Sequence, residues 1–188
     1  MDSRTYRTTI VILGALILIS AILTIGAWRQ NRQLRANLGN ALGEAVGSIK
    51  SYLNEAELIL SRAVADADPE NLLVAVGDLQ AAGRLIRVVA NLDRSHHQQW
   101  LELNSILSVS VVRALDGLRA ELKQTGVLTG ENRTRLGQVI AYLPTARAAF
   151  PDEVVTGTRP RLVFDSRQIV RAVSAGRELQ GELAKENK

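Results

Sequence analysis

The chain contains no cysteine, 4 prolines, 2 histidines and only 4% aromatic residues among 188. Without cysteine there is no disulfide, no thiolate nucleophile and no thiolate-ligated metal, although this absence does not choose a compartment. The two histidines, His96 and His97, are adjacent, and neighbours in sequence do not share a helix face. No HExxH spacing occurs, so no zinc ligand set is assembled locally. No serine stands in G-x-S-x-G, and no glycine-rich loop follows a strand-like run to cradle a phosphate. Glu55 and Glu57 lie two apart and would diverge on a helix. The acidic run from Asp66 imitates the opening of a calcium loop, but its sixth position is Asn71 and its twelfth Gly77, where glycine and glutamate are needed. Catalytic, cofactor and metal residues are therefore not expected, and the chain is not read as an enzyme.

The scarcity of charge is local. Between Arg7 and Arg29 lies TTIVILGALILISAILTIGAW, 21 residues without one ionisable side chain. As a helix, Thr8 to Trp28 spans about 31 Å, close to the hydrocarbon thickness of a bilayer. Trp28 and Tyr6 stand at its two ends, where interfacial aromatics belong. The run exceeds the usual apolar core of a cleaved signal peptide and no A-x-A pattern comes after it, so a retained, single-pass anchor is expected. Arg4 and Arg7 precede it, and Arg29, Arg32 and Arg35 succeed it, nearly a tie under the positive-inside rule. Because long domains translocate largely regardless of charge, the expectation leans to a C-terminal domain outside the cytoplasm.

Beyond the anchor the chain is rich in helical period. Leu42, Val46, Ile49, Leu53, Ala56, Leu60 and Ala63 alternate steps of four and three, a heptad seam. Asp68 is a good N-cap, Pro69 suits the first helical position, and Glu70 suits the helix dipole. Leu72, Val76, Leu79, Ile86 and Val89 continue the pattern, with Gly77 and Gly83 as places for close approach. Ser95 to Gln98 has the S-x-x-Q form of a capping box. Trp100 to Leu122 then gives a helix ended before Gly126, and a further helix begins near Thr129 and is expected to end or kink at Pro144. Asp165 or Ser166 caps the last one. The expectation is all-α: tail 1–7, transmembrane helix 8–28, and a four- to five-helix antiparallel bundle over 29–185. Its helices fall at about 29–65, 69–93, 95–125, 129–149 and 165–185, with a loop at 151–164 holding brief extended segments and a polar tail at 186–188.

Three groups of residues stand out as candidate sites. Gly39, Gly43 and Gly47 form a stripe four residues apart, read either as a close-packing face or as a hinge between anchor and bundle. Leu42, Val46, Ile49, Leu53 and Leu60 form a seam that would serve either the bundle's own core or a homodimer. Arg159, Arg161, Arg167 and Arg171 form the densest basic cluster, near Phe164, with no aromatic row to stack bases; anionic lipid suits it better than nucleic acid. The charges are also divided along the chain. Seven acids between Glu44 and Asp78 face only Lys50 and Arg62, whereas eight arginines between Arg133 and Arg177 face three acids. Packing of the two halves against each other would compensate them.

In outline the layout resembles the helical-bundle sensory regions of bacterial receptors, without a family motif. The expected function is a membrane-anchored bundle of the cell envelope, a sensor-like or scaffold module acting by protein–protein interaction. Its expected partners are the bilayer, through Thr8 to Trp28, and a membrane or envelope protein that carries any output. The alternative is a small-ligand binder with a pocket between Trp100 and the 151–164 loop.

Overall fold

Helix α1 is a single unbroken rod, Ser3–Asp66, 64 residues long. The structure is a computed structural model describing residues 3–152, 154–155, 161–163 and 165–185; the side chains of residues 3–19, 21–22, 155, 161 and 185 fall outside the description. Among the described residues no helix is long and apolar enough to cross a membrane. The expected anchor, Thr8 to Trp28, lies mostly on residues whose side chains are outside the described ones; over that part only the helical backbone is seen, while the described Leu23, Ile25 and Trp28 are exposed.

Each later boundary has a local cause. Ala67 takes a left-handed φ of 51° and its N–H bonds Ala63 O at 3.0 Å, closing α1. Asp68 Oδ1 then accepts the Glu70 N–H at 2.9 Å and starts α2, Pro69–Leu92. A 3₁₀ turn, Arg94–His96, leads into α3, His97–Ser105. The Ser95 capping box is not formed, because that turn places His96 at the cap and no side chain bonds there. Asp93 gathers the junction instead: its Oδ2 accepts Trp100 Nε1–H at 2.9 Å and lies 3.0 Å from His96 Nδ1. Six residues of π-helix, Ile106–Val111, join α3 to α4, Val112–Thr125, without leaving helical dihedrals at either junction. Gly126 ends this rod at φ 68°, where only glycine escapes a steric penalty. Thr129 Oγ1 accepts the Asn132 N–H at 3.2 Å and starts α5, Gly130–Ala148.

Pro144 neither ends α5 nor marks its last residue; the helix continues to Ala148. The ring removes one backbone donor, but Leu143, Ala146, Ala149 and Phe150 are buried on either side and hold the turn in place. Two-residue strands β1, Val154–Val155, and β2, Arg161–Leu162, pair antiparallel with Val154 opposite Leu162. Asp165 starts α6, Ser166–Lys185, its Oδ1 accepting the Arg167 N–H at 3.0 Å.

The rods form a ring: α1 touches α2 and α5, α2 touches α3 and α4, and α6 closes the circle against α3 and α5. Chain neighbours run antiparallel. The α3–α4 rod and α6 run parallel, as the pairs Glu102–Arg177 and Ser110–Gln180 require. One core fills the ring, drawn from aliphatic side chains, alanines and the Trp100–Phe150 pair.

The seam belongs to that core. Leu42 and Val46 are 3% exposed, and Ile49, Leu53 and Leu60 are fully buried. This corrects the reading of the seam as an association surface: its apolar area is already covered by the chain's own helices, and a second copy could reach it only by opening the bundle. Leu53→Asp is therefore expected to unfold the domain. Removing a buried leucine alone costs about 2–5 kcal/mol, and an unpaired carboxylate adds to that. Circular dichroism and gel filtration check this; a folded variant of reduced mass would restore the homodimer reading.

Candidate functional site

The arginine cluster is not assembled among the described residues. Arg159 and the Arg161 side chain lie outside them. Arg167 is engaged by its own helix cap, with Nε 3.0 Å from Asp165 Oδ1 and a terminal nitrogen 2.9 Å from Oδ2, and this guanidinium holds the Asp165 carboxyl below its usual range. Arg171 is exposed. Of the two charged stretches, one acid and one arginine meet across the α1–α5 interface, Glu57 and Arg147, while Lys50–Asp152 pairs a cation of the acidic stretch with an acid of the basic one. Arg147 donates to Asn54 Oδ1 at 2.5 Å and to Glu57 Oε2 at 3.0 Å, and Lys50 pairs with Asp152, whose carboxyl is lowered by it.

The expected ligand pocket at Trp100 is filled. The indole is fully buried, stacked on Phe150 with centroids 5.0 Å apart, and its N–H is committed to Asp93. Among the described residues the indole is therefore closed to a ligand; most of the 151–164 loop expected to face it lies outside them.

The glycine stripe divides along its length. Gly39 is buried and Gly43 half-buried, with a Cβ at Gly43 reaching 4.0 Å from Val154 Cβ. Gly47 is exposed, and a Cβ there meets nothing within 4 Å. At Gly43 the stripe thus passes under the β1 strand and not under another helix. The α1 backbone stays helical through all three.

Two other glycines mark the tightest approaches, and both meet the π-helical segment. A Cβ at Gly83 would fall 2.6 Å from Ser108 Cβ and 2.8 Å from the Asn104 amide. A Cβ at Gly176 would fall 2.6 Å from Ile106 Cδ1 and 2.7 Å from Tyr142 Oη. Tyr142 uses the space to donate to Ala172 O at 3.2 Å, and burial pushes its phenol well above the ordinary value. Gly83 is legible in sequence as a small residue on a packed helix. Gly77, which shares that description, has open space around it.

Asn104, only 5% exposed, is the polar centre of this region. In the amide orientation that satisfies its neighbours, Nδ2 donates to Gly83 O at 2.8 Å and to Ser108 Oγ at 3.1 Å, while Oδ1 accepts from Arg87 Nε at 3.1 Å. Ser108 Oγ–H in turn donates to Asn104 O at 2.7 Å. Every polar atom of this buried amide is therefore used, as burial demands.

Two concavities flank the segment. On the α2 side, a groove of about 250 Å³ is lined by Gln80, Gly83, Arg84, Arg87, Asn104, Ser108 and Val109. On the other side, a cleft of about 640 Å³ opens where α4 and α6 splay over α5, with Ser110, Arg113, Glu121, Arg135 and Gln180 among its polar walls. Gln180 Nε2 donates to Ser110 Oγ at 2.6 Å at its edge. Between α1 and α2, Asp78 has one buried carboxylate oxygen without a partner, and desolvation and then Glu55 push its pKa up. Among the described residues no group of three or more His, Asp or Glu could hold a metal ion.

The glycines give a direct contrast. Gly83→Ala is expected to destabilise by about 1–3 kcal/mol, since the new methyl meets the Ser108 Cβ, on a rigid stretch. Gly47→Ala is expected to stabilise by about 0.5–1 kcal/mol through helix propensity alone. Urea unfolding of both variants checks the pair of signs. No protein-family model matches the chain, and neither any curated protein nor any solved structure matches it.

Proposed function

We propose that the chain is a membrane-anchored helical bundle that acts by binding, as a sensor-like or scaffold module of the cell envelope, without catalysis of its own. The observation that carries this reading is the continuity of α1, which passes from the uncharged run at Thr8 to Trp28 into the wall of the bundle core with no break. Such a rod couples the position of an anchor to the packing of the domain. At the foot of the bundle Arg29, Arg32 and Arg35 are exposed, and the Arg32 guanidinium lies 5.6 Å from the Trp28 ring centre. An aromatic ring with an arginine collar suits a membrane–water interface and anionic headgroups. Arg4 and Arg7 oppose export of the short tail, and a long domain can translocate largely regardless of its charge, so in this reading the bundle lies on the outer side.

A second reading, a small-ligand-binding bundle that passes its state to a partner protein, draws support from the α4–α5–α6 cleft. At about 640 Å³ it falls in the size range of small-molecule sites, and it mixes apolar walls with Arg113, Glu121 and Gln180. In either reading the partner protein carries the output.

The anchor is tested on the full chain in its native membrane. Wild type is expected to stay with the membrane through carbonate extraction, and Leu16→Lys combined with Leu18→Lys is expected to release it. Each lysine at the centre of a span costs about 2.5–3.5 kcal/mol. Release of the wild type by carbonate would overturn the reading.

A further inference from the structure

Along α2, Gln80, Gly83, Arg84 and Arg87 stand at i, i+3, i+4 and i+7, so their side chains emerge on one stripe. The stripe forms one wall of the 250 Å³ groove, and Asn104, Ser108 and Val109 form the other. Its electrical character is unusual for this chain. No carboxylate lines it, and among the described residues neither Arg84 nor Arg87 forms an ion pair. Three other arginines that face a neighbouring element find acids: Arg147 meets Glu57, Arg177 meets Glu102 and Arg119 meets Glu70. Two like charges three residues apart on one helix face repel each other, and nothing on the described surface relieves them.

The groove also has a built floor. Asn104 is buried, and its Oδ1 takes the Nε–H of Arg87 at 3.1 Å, which fixes the plane of that guanidinium. The two terminal nitrogens of Arg87 are left for something else, in the fork geometry that matches a carboxylate or phosphate. Gly83 lets the two walls approach, since any side chain there would collide with Ser108 and Asn104. Beside this floor, Ser108 and Val109 stand on the π-helical segment, a distortion that occurs frequently at functional sites. The larger cleft has a different balance: Glu121 stands in its wall, and Arg135 is bonded to Glu131 at 2.5 Å.

We propose that this groove is a binding site for a phosphate-type oxyanion, held by the Arg87 fork and by Arg84, with Gln80 and Ser108 as neutral hydrogen-bonding partners. The oxyanion could belong to a soluble phosphate ester or to a lipid headgroup, and the geometry favours the soluble source. Counting back from the α1–α2 turn, Arg87 is level with about residue 48 of α1, roughly 30 Å along the helix from Trp28 at 1.5 Å per residue. The site lies wholly in the bundle and does not rest on the anchor.

The test uses the full chain in nanodiscs of zwitterionic lipid, in phosphate-free buffer, titrated with inorganic phosphate. Calorimetry and the ¹⁵N signals of the arginine Nε–H groups report binding. The expected result is saturable binding with a shift at Arg87, weakened at least about ten-fold, or 1.4 kcal/mol, by Arg84→Gln or Arg87→Gln. Both positions are exposed, so both variants should keep the wild-type circular dichroism; Arg84→Gln should also keep the melting temperature, whereas Arg87→Gln leaves the buried Asn104 Oδ1 without its donor and should melt lower while staying folded. Arg113→Gln, in the other cleft, should bind as wild type. Absence of saturation up to 10 mM phosphate, or wild-type affinity in the Arg84 and Arg87 variants, would overturn the proposal. Nanodiscs containing phosphatidylglycerol form the second arm. If they shift Arg87 without added phosphate, the oxyanion chemistry stands and the soluble source is overturned.

Discussion

The apolar seam of α1 has to be covered, and the way it is covered sets the rest of the architecture. Leu42 to Ala63 presents three heptads of buried side chain on a helix that no proline or turn interrupts. One antiparallel neighbour cannot cover a stripe of that width, because core-facing helices expose an apolar arc of 100° or more. α2 takes one flank and α5 the other, so the chain must return from α2 to α5 by way of the α3–α4 rod. α6 then fills the remaining gap in the ring. Charge obeys the same logic: Glu57 on α1 finds Arg147, and Lys50 finds Asp152, because α5 and the segment after it lie against the same helix.

Closing five rods around one core of few aromatics draws them together at mid-height. Gly83 on α2 and Gly176 on α6 remove the side chains that would hold those helices away from the central rod. Between them the rod widens to π-helix, over Ile106–Val111. The consequence is polar as well as steric. Asn104 and Ser108 are carried into the α2 contact, where they satisfy each other and orient Arg87. Both concavities border this segment, so the proposed binding surface and the tightest packing share a cause. A continuous α1 would then transmit any change in that packing along its length to the segment proposed as anchor.

Much of the bundle is legible in the sequence because its signals are local. Asp68–Pro69, Thr129, Gly126 and Asp165 state helix ends through their own hydrogen-bonding and dihedral chemistry, and the seam states a buried face by period alone. The features that are not legible depend on tertiary contacts. Pro144 reads as a stop or a kink; the stop is overturned, since α5 runs on to Ala148 with buried neighbours on both sides of the ring. The Ser95 capping box loses to Asp93, which can bond the Trp100 indole only once that ring is packed. The π-helical segment has no glycine or proline to announce it. For the candidate site, density of arginine points to Arg159 through Arg171 and away from α2. The spacing of Gln80, Gly83, Arg84 and Arg87 is readable as one stripe, but that no acid faces it becomes visible only in three dimensions.

Coupling between the proposed anchor and the bundle would depend on α1 staying one rigid helix through the stripe Gly39, Gly43 and Gly47. Because the chain lacks cysteine, spin labels can be placed at Gln30→Cys and Ser61→Cys, both exposed and on opposite sides of the stripe, in the full chain. A pulsed electron–electron resonance measurement should give one narrow distance near 46 Å, the span of 31 residues at about 1.5 Å each. A broad or clearly shorter distribution would show that the stripe bends, and would contradict a rigid α1.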